Sequence, residues 1–496
     1  MTTMMAEPCG PAEIAGGLDR LEERVRQDLD WLELPAKNWV PERRLEGQVV
    51  RDVVIIGGGM AGLTVSGTLL RYGVRNQIVY DREPAGREGP WVRYARMRTL
   101  RSPKTLPGPC MGLPSLTFRA WYEARFGADA WIALTRIPRE TWMEYLGWLR
   151  RILELPVQNE TELAGVAAHD DGLLALTVRR AGVEERVLCR HLVLATGRDG
   201  LGGAYVPPVI AALPRACYAH SSEPIDFAAL RGRRVVVVGA GASAMDNAAT
   251  ALEMGAARVD LLIRRKDLPR VNKFTGIGSA GVVHGFVGLP DAWKWRFLDY
   301  TLAAQTPPPR PSTLRVSRHE NAHFHLNCAL RAIAVENGAL RIETSRGTLG
   351  ADFIIAATGF AADMGRRPEF AGFADKVRLW GDRFRPEAAD MPSGGLNAEL
   401  AGSPDLGPGF AFQEREEGCC PFLKYIHCFC FPATLSHGKV SGDIPAISEG
   451  ADRLARQVVR SLFVEDRAVH YENLESFSVA ELQGDEWVDA PLPQEA

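Results

Sequence analysis

The chain has 496 residues, 46% hydrophobic and 24% charged, with a formal net charge of −3. This is the composition of a globular protein of two or three domains and excludes a broadly disordered one. So small a charge gives no general attraction to nucleic acid or to an anionic membrane. No run reaches the ~18 apolar residues of a membrane span, and the first residues lack a basic cluster followed by an apolar core; the cytoplasm is the expected location. The nine cysteines, scattered from Cys9 to Cys430, do not resemble a secreted disulfide framework. Cys419-Cys420 and Cys428-Phe429-Cys430 lack the spacing of a zinc site. No metal is expected, and these thiols read as buried and reduced.

Residues 12–34 place Ile14, Leu18, Leu21, Val25, Leu29 and Leu32 at helical spacing. This predicts an amphipathic helix ending near Pro35 and docked on the following domain, with a homodimer interface as the other reading. Residues 51–62 then combine an apolar strand, Val53 to Ile56, with Gly57-Gly58-Gly59-Met60-Ala61-Gly62. The GxGxxG spacing gives a tight turn, a close approach of backbone to a pyrophosphate, and close packing of the next helix, predicted over 60–72. Asp81, 24 positions after Gly57 at the end of the next apolar stretch, is placed to accept hydrogen bonds from a ribose, with Arg82 beside it. Strand, glycine turn, helix and acid together predict a dinucleotide site. The loops at Gly89-Pro90-Trp91 and at Arg101-Ser102-Pro103-Lys104 follow that unit, where ligand-crossing loops usually lie.

Helical patterns follow at Phe118–Phe126 and Trp142–Leu153, then alternating strands over 161–197 that end in Ala195-Thr196-Gly197. The glycine there clears the backbone's passage near a nucleotide. A second unit repeats the first: Val235 to Val238 leads into Gly239-Ala240-Gly241-Ala242-Ser243-Ala244. Arg264-Arg265-Lys266 begins 25 positions after Gly239, where the first unit has its acid. Guanidinium groups at this offset suit a 2′-phosphate, so NADPH is expected in preference to NADH. Arg310, Arg315 and Arg318 either hold a substrate carboxylate or line a solvated face. A strand at Leu340–Thr344 precedes Ala357-Thr358-Gly359. Residues 391–420, rich in Gly and Pro, predict a long surface excursion. Ser441-Gly442-Asp443-Ile444-Pro445 reads as a turn opening a last helix, which returns amides and an acid to the first nucleotide.

Residues 50–463 resemble the single-component class B flavoprotein monooxygenases, the flavin-containing, N-hydroxylating and Baeyer–Villiger groups. The resemblance rests on Gly57/Gly59/Gly62, Gly89-Pro90-Trp91, His220-Ser221, Gly239/Gly241/Ala244, Arg264-Arg265 and Asp352 to Phe360. It implies an α/β protein of two Rossmann-like dinucleotide-binding domains, the NADPH domain inserted into the FAD domain. The expected division is an N-terminal helical extension (1–50), the first part of the FAD domain (51–205), the NADPH domain with a substrate-region insertion (206–345), and the second part of the FAD domain with a tail (346–496). The resemblance further implies NADPH held by Gly239, Gly241, Ser243, Ala244 and Arg264, molecular oxygen as co-substrate, and oxidation of a heteroatom, nitrogen first, through a C4a-(hydro)peroxyflavin.

The linker fingerprint FxGxxxHxxxW is reduced to His220, with Pro214, Ala216 and Pro224 at its other positions. Where flavin-containing monooxygenases often have Asn-x-Pro-Lys, Arg101-Ser102-Pro103-Lys104 stands here. Arg101 would then stabilise a peroxide anion or bind an anionic substrate, and His220 would act in catalysis or simply orient the linker. A Baeyer–Villiger monooxygenase and a pyridine-nucleotide-dependent flavin reductase or oxidase are the alternatives. Disulfide reduction is disfavoured because no CxxC or CxxxxC pair lies in the first domain. A cofactor-binding protein without turnover is a further reading.

Overall fold

The computed structural model describes residues 11–336 and 338–492; Cys9 lies outside them. The first helix, α1 (Gly17–Trp31), docks rather than standing free: buried Glu22 accepts from Trp148 Nε1 at 3.2 Å and from the Arg151 guanidinium at 2.5 Å. Next comes β1 (Arg51–Ile56), whose Val53, Val54 and Ile55 are fully buried. An apolar strand with both faces covered is what a parallel sheet between helices requires. It runs into α2 (Met60–Arg71) and β2 (Gln77–Tyr80). After helices α3 (Phe118–Phe126) and α4 (Arg139–Ile152) come β3 (Val157–Gln158), β4 (Thr161–Ala168), β5 (Leu174–Arg180) and the long β6 (Val183–Leu194). The first sheet has the order β3-β2-β1-β6-β5-β4. Strands β1, β2 and β3 are parallel; β6 runs parallel to β1 and antiparallel to β5.

The linker carries β7 (Gly202–Ala204), and the second sheet starts at β8 (Tyr218–His220). It continues with β9 (Arg234–Val238), α5 (Ala242–Glu253), β10 (Arg258–Leu262), α6 (Asp291–Ala304), α7 (Arg310–Ser317) and β11 (Ala322–His325). A three-stranded meander, β12 (Leu330–Glu336), β13 (Ala339–Thr344) and β14 (Gly347–Ala351), precedes β15 (Phe353–Ala356). The sheet order is β8-β15-β9-β10-β11, all parallel. Val235, Val237, Val259, Leu261 and Ile355 bury on one face, and Val236, Leu262, Ile354 and Ala356 on the other. That alternation fills the core on both sides of a doubly wound sheet.

Since β15 completes the second sheet, the expected boundary at residue 345 falls too early. The return to the first domain follows β15, through β16 (Phe360–Ala362), which pairs antiparallel with β7. The chain then rejoins the first sheet at β17 (Ile426–Cys428), parallel to β6. Nested insertion of one dinucleotide fold in the other is therefore the architecture. The last helices are α8 (Ile447–Glu465), burying Ile447, Ala451, Leu454, Ala455, Val458 and Leu462 against α2, and α9 (Arg467–Ser476).

The expected surface excursion at 391–420 is corrected. Leu400, Phe410, Phe412 and Cys420 are buried, and isolated bridges pair Leu379 with Pro404 and Ala411 with His427. Gly and Pro bend this stretch, but its aromatic residues carry it into the core.

His191 on β6 and His427 on β17 meet inside that core. His427 Nδ1 donates to the Gly409 carbonyl at 2.7 Å, so its Nε2 accepts from His191 Nδ1 at 3.0 Å, and both rings are neutral. Burial pushes His427 down to about 4 and His191 well below the usual histidine range. With folded values below the unfolded one, unfolding takes up protons in acid. The contribution is complete above about pH 6.5 and is lost as pH falls toward 4, at about 3 kcal/mol for His427 alone. Urea midpoints should drop steeply over that window, and His427→Gln should flatten the drop; an unchanged slope would refute the neutral pair.

Candidate active site

Two glycines of the first turn are explained by the protein itself. Gly57 has φ +108°, and a Cβ there would sit 2.5 Å from the Ala195 carbonyl oxygen; a Cβ on Gly62 would sit 1.8 Å from that of Gly57. Gly59 is different. Its φ of −75° suits any residue, and the nearest atom to a Cβ would be 3.7 Å away, in Gly89. Its missing side chain leaves a slot between the turn and the Gly89-Pro90-Trp91 loop. Helix α2 opens onto the slot with the amides of Met60, Ala61 and Gly62, and no side chain caps it. A pyrophosphate fits there.

Buried Asp81 bounds the slot: Oδ2 accepts from the Gly58 amide at 2.7 Å and Oδ1 from the Glu83 amide at 2.8 Å. Each oxygen keeps a lone pair for a ribose hydroxyl. Burial raises the carboxyl above its usual range, against these two bonds. Arg82 stands exposed, 3.6 Å from Glu83. Trp91 Nε1 and Thr196 Oγ1 are buried without partners among the described residues, as atoms completed by a polar ligand would be. Gly197, beside Thr196, has φ +81°.

Sequence reasoning missed what holds the Trp91 loop. Buried Glu88 accepts from Arg150 at 2.9 Å, from Asn159 at 2.7 Å and from the Gly86 amide at 2.8 Å. Arg150 and Asn159 lie more than 60 residues away in sequence, so no local pattern announces them.

The second cradle repeats the logic. A Cβ on Gly239 would sit 2.4 Å from the Ala357 carbonyl oxygen, whereas one on Gly241, with φ −85°, would meet no atom of the described residues within 4 Å. Glycine at 241 answers to something other than the protein. Ser243 is exposed in the first turn of α5, and Ala244 is buried beneath it. Of the three cations expected at the 2′-phosphate, Arg264 and Lys266 are exposed. Arg265 is corrected: it donates to the Ala303 carbonyl at the end of α6 at 2.6 Å. Thr358 and Gly359 lie past β15, at the carboxyl end of the second sheet rather than the first. The Thr358 hydroxyl donates to the Tyr205 carbonyl, and the Tyr205 amide donates to the Gly359 carbonyl at 2.9 Å, fastening the linker.

Arg101 reaches across the domains and donates to the Pro307 carbonyl at 2.9 Å, and Arg136 donates to the Arg101 carbonyl. Burial and the nearby Arg136 charge lower its guanidinium below the usual range. Asp443 is exposed just before the turn into α8. The expected arginine group does not converge: Arg315 is paired with Glu253 at 2.8 Å and Asp246 at 3.5 Å, while Arg310 and Arg318 are exposed on the surface. His220 is 0% exposed. Its Nδ1 accepts from the Ser222 amide at 3.2 Å, and burial lowers it, so the ring is neutral. Its Nε2 is buried without a hydrogen-bond partner among the described residues.

Residues 51–275 match the pyridine nucleotide-disulphide oxidoreductase family. The FAD-dependent urate hydroxylase of Xanthomonas campestris pv. campestris is 38% identical over 480 residues, 97% of this chain and 99% of that enzyme. The chain belongs to the flavin-dependent monooxygenases. The fold of this monooxygenase is that of the heteroatom-oxidising N-hydroxylases. It superposes on ornithine hydroxylase from Pseudomonas aeruginosa with a TM-score of 0.66 at 14% identity, covering 84% of this chain and all of that one. For the ornithine N-hydroxylase of Kutzneria sp. 744, solved with reduced FAD, NADP⁺ and ornithine, the values are 0.61 and 15%, with 83% and 99% covered. FAD is its cofactor, and its first cradle fits it. Cys428 and Cys430, 3.5 Å apart, are fully buried, and burial pushes the Cys428 thiol well up. They are shielded from any substrate disulfide. No helix among the described residues is long and apolar enough to cross a membrane.

Proposed function

We propose that this monooxygenase uses NADPH and molecular oxygen to hydroxylate urate or a closely related anionic, nitrogen-rich heterocycle in the cytoplasm. The end-to-end likeness to a urate hydroxylase carries the substrate class, and Arg101 at the domain cleft suits an anion. FAD, held by Gly59, Asp81, Trp91 and Thr196, supplies the oxygen-activating chemistry; the chain contributes binding, orientation and exclusion of water. Product analysis by carbon and nitrogen NMR assigns the oxygenated atom, a ring nitrogen being the outcome that the N-hydroxylase fold favours.

NADPH as reductant rests on the slot at Gly241 and on Arg264. Replacing Arg264 by Ala removes a charge-assisted contact of roughly 1.5–3 kcal/mol. KM for NADPH should rise at least tenfold and KM for NADH should stay. Arg265→Ala should change the NADPH value little, because that side chain is bound to Ala303. Equal effects of Arg264→Ala on both nucleotides would overturn the phosphate assignment.

A further inference from the structure

Arg96 stands in the loop that carries Trp91. The loop is held as one turn: the Pro90 carbonyl accepts from the Tyr94 amide at 3.2 Å and from the Ala95 amide at 2.9 Å, and Arg139 at the start of α4 donates to the Trp91 and Ala95 carbonyls at 2.7 Å each. From the end of this turn the Arg96 guanidinium crosses to the inserted domain. Its Nη1 donates to the Tyr94 carbonyl at 2.5 Å and to the Ser221 carbonyl at 2.7 Å, and its Nη2 donates to the Glu223 carbonyl at 2.7 Å. Ser221 and Glu223 follow directly on β8 of the second sheet. The head is thus gripped by backbone carbonyls of both domains, with the Phe227 ring centre 5.1 Å away. Burial and the nearby Arg139 charge lower it to about 10, so it stays charged at neutral pH.

What Arg96 holds on the far side reaches the second cradle through backbone alone. The Ser221 amide donates to the Ala356 carbonyl at the end of β15 at 3.0 Å, and the next residue, Ala357, donates its amide to the Val238 carbonyl beside Gly239 at 2.9 Å. Two further contacts reach α5, the helix that opens on that cradle. Arg98 of the same loop pairs with Glu253, the last residue of α5, at 3.1 Å, and Arg315, also paired with Glu253, donates to the Arg96 carbonyl at 3.3 Å. Residues 91–98 therefore begin at the flavin slot and end fastened to the turn and helix of the second cradle. Charge-assisted bonds to fixed carbonyls set direction as well as distance. We infer that Arg96 is a positioning residue for flavin reduction: it holds the two cradles at the orientation in which NADPH in the second can reduce FAD in the first, with Arg98 as a weaker second tether. This rests on the reading of the second cradle as the NADPH site. A misplacement of about 1 Å between reacting groups costs about 100-fold in rate, while the contacts inside each cradle, and with them the affinity for each cofactor, stay as they are.

The test uses the FAD-loaded full chain and the variants Arg96→Met, Arg96→Lys and Arg98→Ala. FAD content and equilibrium binding of NADP⁺ are measured first, and both should stay within about twofold of the unaltered protein. The limiting rate at which NADPH reduces the bound flavin, followed without oxygen at the flavin band, should fall about 10- to 100-fold in Arg96→Met. Arg96→Lys should recover part of that loss, since an ammonium also donates to carbonyls. Reduction by dithionite, which needs no second domain, should keep its rate in every variant. Hydrogen exchange supplies a readout independent of turnover: peptides covering 94–98 and 219–225 should exchange about tenfold faster or more in Arg96→Met, with β1 and β9 unchanged. Arg98→Ala removes an exposed pair and should slow reduction about two- to fivefold. An unaltered limiting rate in Arg96→Met overturns the proposal; if that variant cannot be obtained with FAD bound, an unaltered rate in Arg98→Ala does so. A loss of NADP⁺ binding as large as the loss of rate also overturns it, by making Arg96 part of the cradle. If NADPH does not reduce the flavin of the unaltered protein, the NADPH reading falls and NADH takes its place in the comparison; the positioning role then stands if Arg96→Met slows that reduction, and falls if it does not or if NADH is inert as well.

Discussion

Gly62→Ala should yield protein that folds but is purified without FAD. The added methyl would sit 1.8 Å from the Gly57 carbonyl oxygen, a backbone atom in the turn itself. Relief requires α2 to move off β1 or the turn to open, and either displaces the amides that face the pyrophosphate slot. Affinity for FAD should fall by at least about 100-fold, the loss of two or more hydrogen bonds to a charged group. Absorbance at the flavin band after desalting measures it. Ala244 occupies the matching place in the second cradle and is buried without conflict, so Ala244→Gly should leave FAD content and NADPH binding nearly unchanged. Stoichiometric FAD in Gly62→Ala would show that the turn is more compliant than its contacts imply.

Arg190→Ala should be among the most destabilising single changes in the chain. Arg190, 2% exposed on β6, contacts Asp466 at 2.6 Å, Glu465 at 2.9 Å and, at 3.8 Å, Asp52 on β1. It ties the first sheet to the junction of α8 and α9. Burial pushes Asp52 up to about 7 even with this cation beside it. Removing the guanidinium leaves three carboxyl groups facing one another at a partly dry site, at a cost of about 3–5 kcal/mol. Urea unfolding measures the loss. Adding Asp466→Leu to Arg190→Met should recover part of it, since replacing both partners of a buried pair by apolar groups is often neutral. A loss below about 1 kcal/mol for Arg190→Ala would mean that the carboxylates escape to water.

What was legible in the sequence is what local spacing encodes. The two strand–turn–helix units, the acid at 81 and the cations at 264–266 are set by contacts within about 25 residues, and each element formed where its pattern placed it. The features that sequence reasoning missed or misplaced depend on partners far along the chain. Arg265 carries the same offset signal as Arg264, but its fate is decided by a carbonyl 38 residues away. His191 and His427, 236 residues apart, meet only because β17 returns beside β6. For the stretch 391–420, Gly and Pro content outweighed Phe410-Ala411-Phe412, an apolar run that could have signalled burial.

The reaction proposed for this chain is NADPH-driven insertion of one atom of molecular oxygen into urate. Incubating the FAD-loaded protein with NADPH, urate and ¹⁸O₂ tests it most directly, with the product followed by mass spectrometry and NADPH by absorbance. The account predicts one ¹⁸O atom per product molecule, one NADPH consumed for each, and little hydrogen peroxide. Stoichiometric hydrogen peroxide with urate unchanged, or an oxidised product carrying oxygen only from water, would contradict it.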